Sequence, residues 1–174
     1  MSAHPFDPIR LARTLLKHKV RFVVIGGFAG RLWGSPSLTN DLDVCYARDR
    51  ENLARLAASL KALKARLRGV PEKLPFVLDA PTLEAGDHFT LETTAGNLDI
   101  LGIPAGSGGF EQLARAAEAM EIARGVSVTV ASIEDLIKMK RAAGRPKDLI
   151  EVEVLSAVRD ELESEGSPKT GRKK

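Results

Sequence analysis

Apolar positions recur at helical spacing in some stretches and run together or alternate in others, and this pattern outlines a fold. Ile9, Leu11, Leu15 and Leu16 predict a helix over residues 8–19. "RFVVIGG" reads as a buried strand ended by a glycine pair. "FAGRLWG" is then a short helix stopped near Gly34, and "SPS" a loop leading into a strand, "DLDVCY". Leu53, Leu56, Ala57, Leu60, Leu63 and Leu67 form the inner stripe of an amphipathic helix predicted over 50–67. Residues 68–86, with three prolines and two glycines, read as irregular. "HFTLETTAGNLDIL" predicts a hairpin turning at Ala95-Gly96-Asn97. A short helix over 111–119, strand material in "MEIARGVSVTV", and two closing helices near 132–143 and 146–163 complete the chain. The order predicts an α+β (mixed α/β) fold, a mixed β-sheet flanked by helices with C-terminal helices.

Composition adds limits rather than chemistry. At 174 residues, 44% hydrophobic and 28% charged, the chain is expected to form one domain over 1–163. The net charge of +3 and pI near 9.1 would suggest nucleic acid. Yet Lys169, Arg172, Lys173 and Lys174, against Glu165 alone, place that excess in the last ten residues. The rest holds 22 basic and 22 acidic groups. A broad basic face for nucleic acid is therefore not expected, and residues 164–174 read as a disordered basic tail. No apolar run reaches the ~18 residues of a membrane span, and the N-terminus lacks a secretory pattern. The lone Cys45 excludes an internal disulfide and fits a reducing cytoplasm.

Three aspartates break the hydrophobic pattern. Successive strand side chains alternate between faces, so Asp41 and Asp43 share one while Leu42, Val44 and Tyr46 take the other. Two like charges about 7 Å apart on a buried strand need compensation. Asp99 repeats the anomaly between Leu98 and Ile100, and joins the pair if its strand lies beside "DLDVCY". Strand ends in solvent, or helix caps, would explain any one of these residues alone. Three converging carboxylates together call for a cation. Mg²⁺ suits hard oxygen ligands, and two such ions would fit a two-metal phosphoryl-transfer site. Upstream, Gly26 and Gly27 follow a strand and open a helix, where backbone N–H groups can meet a phosphate. The chain carries neither a P-loop nor a dinucleotide-binding fingerprint.

Gly26-Gly27, then "TNDLDV", then "NLDIL" resembles the nucleotidyltransferase superfamily with the DNA-polymerase-β-like fold. The resemblance implies two Mg²⁺ ions and transfer of a nucleoside monophosphate from an NTP to an acceptor hydroxyl. By position, Asp41 and Asp43 would hold the metals and triphosphate. Asp99 would hold the catalytic metal and help activate the acceptor, and Gly26 and Gly27 would cradle phosphates. "SIEDLIKMKRAAGRPKDLIEVEVL" resembles the closing helices of small prokaryotic members, including those of abortive-infection and toxin–antitoxin systems. That likeness implies a possible cognate partner protein.

In this closing segment Ser132 and Asp135 suit a helix start, and Gly144-Arg145-Pro146 ends one helix and begins the next. Ile133, Leu136 and Ile137 define an inner stripe that continues to Lys140, with Lys138 falling toward solvent. Lys140 either snorkels at the edge or points into the site to offset triphosphate charge. In the resembled family the junction lies beside the nucleotide, which adds Lys140, Lys147 and Asp148 as nucleotide-binding candidates. Many relatives carry an arginine where this chain has Ser37, so Ser35 or Ser37 would serve through a hydroxyl, or Arg31 would reach in. The acceptor is left open between a protein, a tRNA end and a small molecule. A nucleotide-binding or antitoxin-like module without turnover, and an RNA-contacting protein using its tail, are the rival functions. His4, His18 and His88 lack metal-ligand spacing, and Cys45, Trp33 and Phe110 read as packing residues.

Overall fold

The computed structural model describes residues 4–71 and 77–166. The chain begins with α1 (Pro8–Lys17), whose start is fixed by Asp7 accepting from the Arg10 N–H at 3.0 Å and by Pro8 in the first turn. Strand β1 (Phe22–Ile25) runs directly into α2 (Gly26–Trp33), which Gly34 ends in the left-handed conformation. Strand β2 (Asp41–Tyr46) is followed by α3 (Arg50–Ala62), capped by Asp49. The edge strand β3 (Arg66–Leu67) and α4 (Ala80–Ala85) come next. A hairpin of β4 (His88–Thr93) and β5 (Gly96–Leu101) leads to α5 (Phe110–Ala116). A second hairpin, β6 (Glu118–Ala123) and β7 (Val126–Val130), precedes α6 (Ile133–Ala143) and α7 (Pro146–Gly166).

The seven strands form one sheet in the order β3-β4-β5-β2-β1-β7-β6. Pairing is parallel between β2 and β5 and between β1 and β7, and antiparallel elsewhere, as expected of a mixed sheet. Leu42, Val44, Leu98 and Ile100 on the central strands are fully buried, with Leu11, Leu15, Leu56 and Leu60 of α1 and α3 in the same core. Each such side chain contributes about 1.5–3 kcal/mol of transfer free energy. The opposite face of β2 and β5, toward α2 and α6, presents the aspartates.

Several boundaries differ from the sequence reading. The third helix ends at Ala62, because Lys64 turns left-handed (φ 50°) and reverses the chain into β3. Leu67 therefore pairs with Leu91 on a strand and is not on the helical stripe; its spacing of four from Leu63 imitated a helix. The 68–86 stretch is not wholly irregular, since Asp79 caps α4 through the Thr82 N–H at 3.0 Å. The first hairpin turns at Thr94–Ala95, with Gly96 already on β5 at φ 97°. A Cβ on Gly96 would lie 2.7 Å from the Phe6 Cα, so a close backbone approach fixes glycine there. Helix α5 ends at Ala116 and α7 continues to Gly166, into the expected tail; residues 167–174 of that tail lie outside the described residues. No described helix is long and apolar enough to cross a membrane.

Candidate metal and nucleotide site

The parallel register of β2 and β5 sets Asp41 opposite Asn97 and Asp43 opposite Asp99. Ile25 on β1 and Thr90 on β4 extend the second pairing into one transverse row across four strands. Cross-strand neighbours in such a row share a face, so Asp99 joins Asp41 and Asp43 through the hydrogen-bond ladder itself. Carboxylate oxygens of all three lie within 4.8 Å of one another.

Each aspartate is held differently. Asp41 accepts from the Thr39 hydroxyl at 3.0 Å. Asp99 accepts from Arg68 Nη2 at 2.7 Å, and the same nitrogen donates to the Leu91 carbonyl at 2.9 Å. Asp43 lies against the start of α2: a Cβ on Gly26 would come within 2.0 Å of its Oδ2. Gly26 also sits at φ 70°, so both the backbone and the neighbouring carboxylate require glycine. Gly27 is milder, its added Cβ falling 3.2 Å from Thr39.

Burial first, and then the charges of Asp41 and Asp99, push the Asp43 carboxyl up to about 7, with Lys140 opposing the rise. Burial also raises Asp99, with Arg68 opposing and Asp41 adding to the rise. Such carboxyls hold their charge with difficulty unless a cation arrives. All the converging donors are hard carboxylate oxygens, and the tight seat of Asp43 on Gly26 keeps them in place. These residues fit a divalent metal of the magnesium type.

A second charged centre adjoins the first. Asp148, at the start of α7 and only 1% exposed, accepts from Arg145 Nε at 2.6 Å, Arg145 Nη2 at 3.2 Å and the Arg145 backbone N–H at 3.2 Å. Lys140 Nζ on α6 lies 3.4 Å from its Oδ1. The Arg145 hydrogen bonds hold the Asp148 carboxyl below the usual carboxylate range against its burial. Because Lys140 and Arg145 also couple electrostatically to Asp43, this centre supplies the positive side of the site. Lys140 is thus part-buried between Asp148 and the triad, whereas Lys138 is exposed.

The other sequence candidates fall in two places. Ser35 and Ser37 donate their hydroxyls to Glu151 of α7, at 2.7 and 2.6 Å. Lys147 is exposed on the first turn of α7. Three contributors escaped the sequence reading: Arg68, Glu151 and Thr39. Glu151 had a legible signal, lying one helical turn after Asp148 on the same buried face. Arg68 had none, because its place depends on the edge strand that the sequence pattern disguised as helix.

No protein-family profile matches the chain. Heat shock protein 60A and the mitochondrial 60 kDa heat shock protein homolog 2, both of Drosophila melanogaster, are 32% and 30% identical to it over 146 residues, 80% of its length. The chain spans 22% of the length of these curated relatives. Among solved structures, the lincosamide antibiotic adenylyltransferase LnuA with lincomycin bound superposes with a TM-score of 0.57 at 12% identity. That match covers 89% of this chain and 99% of the other. ANT(2'')-Ia in complex with adenylyl-2''-tobramycin gives a TM-score of 0.51 at 17% identity, covering 92% and 99%. At such identities the likeness is one of architecture, and the chain has the nucleotidyltransferase fold.

Proposed function

We propose that the chain is a Mg²⁺-dependent nucleotidyltransferase, moving a nucleoside monophosphate from an NTP to an acceptor hydroxyl. The observation that carries this reading is the aspartate triad on β2 and β5, packed against the glycine start of α2. Asp41, Asp43 and Asp99 would hold two Mg²⁺ ions, which when bound would neutralise phosphate charge and lower the acceptor's proton affinity. The Gly26 and Gly27 N–H groups at the helix start receive phosphate oxygens without a side chain intervening. Lys140, steadied by Asp148, offsets the triphosphate charge, with Lys147 at the rim. The acceptor oxygen attacks the α-phosphorus in line, the bond to pyrophosphate breaks, and Asp99 takes the acceptor's proton. Ser35 and Ser37 act through Glu151, which fixes the loop entering β2.

The fold neighbours, one an adenylyltransferase and one in complex with adenylyl-2''-tobramycin, favour ATP as donor and a small-molecule hydroxyl as acceptor. The likeness of the closing helices to abortive-infection and toxin–antitoxin members extends the proposal to a cytoplasmic setting with a cognate partner protein. Incubation with each α-labelled NTP, Mg²⁺ and a panel of small-molecule, tRNA and protein acceptors tests the reading. Label transfer by the wild type, lost in Asp43→Asn and Asp99→Asn, is the expected result. A folded wild type that binds no nucleotide in the presence of Mg²⁺ would overturn it.

A further inference from the structure

Arg68 stands outside every role assigned so far, yet it touches the centre of the site. Its backbone N–H donates to the Thr90 carbonyl at 2.9 Å, which continues the edge pairing of β3 and brings Arg68 beside the row Thr90–Asp99–Asp43. From there the guanidinium reaches across β4 to Asp99. The pair is well sheltered, with side-chain exposures of 32% for Arg68 and 14% for Asp99. One nitrogen serves both Asp99 and the Leu91 carbonyl, while the buried Nε has no hydrogen-bond partner among the described residues. A contact with an unsatisfied buried donor is an incomplete one, and buried donors are ordinarily satisfied in a permanent structural pair.

Asp99 therefore already holds a cation, and that cation belongs to the protein. We infer that Arg68 is a built-in counter-cation that competes with divalent metal for Asp99, so that the Asp99 half of the triad loads only as Arg68 lets go. This rests on the metal-site reading proposed above. Asp41 and Asp43 carry no such ion pair among the described residues, and Asp43 meets positive charge only at longer range from Lys140 and Arg145. Loading is then stepwise, with Asp41 and Asp43 first and Asp99 second.

Mn²⁺ serves as the probe, with the free-ion EPR signal followed as the metal is added to the apo protein. Arg68→Met removes the charge and keeps the stem, and Arg68→Gln retains a donor for the Leu91 carbonyl should the methionine variant fold poorly. Either variant should bind Mn²⁺ about tenfold more tightly than wild type at the weaker step, as expected when an opposite charge beside a carboxylate is removed. The gain should vanish when Asp99→Asn is combined with either change. Unchanged or weaker Mn²⁺ binding in folded Arg68→Met or Arg68→Gln would overturn the role of Arg68 while leaving the metal site standing. Absence of Mn²⁺ binding in wild type and both variants would overturn the metal-site reading and this inference together.

Discussion

Two acidic centres, one buried and one part-buried, lie side by side in this molecule and behave in opposite ways. Asp148 is surrounded: a guanidinium, an ammonium and a backbone N–H converge on one carboxylate and hold it ionised. Asp41, Asp43 and Asp99 are crowded: among the three carboxylates Asp99 alone pairs with Arg68, and Lys140 acts on Asp43 at longer range. One centre is complete without any ligand. The other is short of positive charge, and burial makes that shortage felt. The difference separates an acidic residue whose charge the fold already balances from acidic residues whose charge a cation would balance.

The most severe way to break the comparison is to remove a carboxylate from the crowded centre. Asp43→Ala and Asp99→Asn should each lower label transfer by about a thousandfold or more, as for loss of a group that stabilises transition-state charge. Rate assays under saturating Mg²⁺ would check this. The surrounded centre should answer in stability instead. Asp148→Asn strands Lys140 without its carboxylate and should cost about 3 kcal/mol, read by urea denaturation.

pH sharpens the contrast further, because the two centres have opposite signs. Asp43 is raised in the folded state, so its favourable contribution is full below about 4 and is lost as pH rises through about 7. Without metal, Asp43→Asn should therefore gain about 1–2 kcal/mol over wild type at pH 8 and nothing near pH 3. Added Mg²⁺ should raise wild-type stability at pH 8 and leave Asp43→Asn little changed. Asp148 is lowered, so its contribution is present above the ordinary aspartate pKa and fades as pH falls below it. Thermal melts of both variants between pH 3 and 8 would display the opposed slopes. The smallest effect belongs to Ser35→Ala and Ser37→Ala. Each leaves one Glu151 oxygen short of a donor and should cost about 1 kcal/mol with a modest loss of rate.

Much of this was legible in the sequence. Asp41, Asp43 and Asp99 stand out because a charge alternating with aliphatics violates the strand pattern, and their convergence needed only that β2 and β5 be neighbours. The helix start at Ser132 is likewise written in local capping chemistry. What the pattern concealed was non-local. Leu67 looked helical because four-residue spacing recurs across a turn, and with β3 hidden the reach of Arg68 to Asp99 was hidden too. The sharing of Glu151 by Ser35 and Ser37 joins residues more than a hundred positions apart, which no local rule connects.

The transverse row through Ile25, Asp43, Asp99 and Thr90 has a consequence for how such a protein can be altered. Because the ladder places Asp99, the loops at the sheet's ends are free to lengthen or change without disturbing the triad. A single-residue insertion within β5 upstream of Asp99 is another matter. It would turn Asp99 to the far side of the sheet and bring an aliphatic neighbour into its place. Variation in this architecture is thus inexpensive at the periphery and all-or-none along the strands, which makes the rim the natural place to graft a new acceptor specificity.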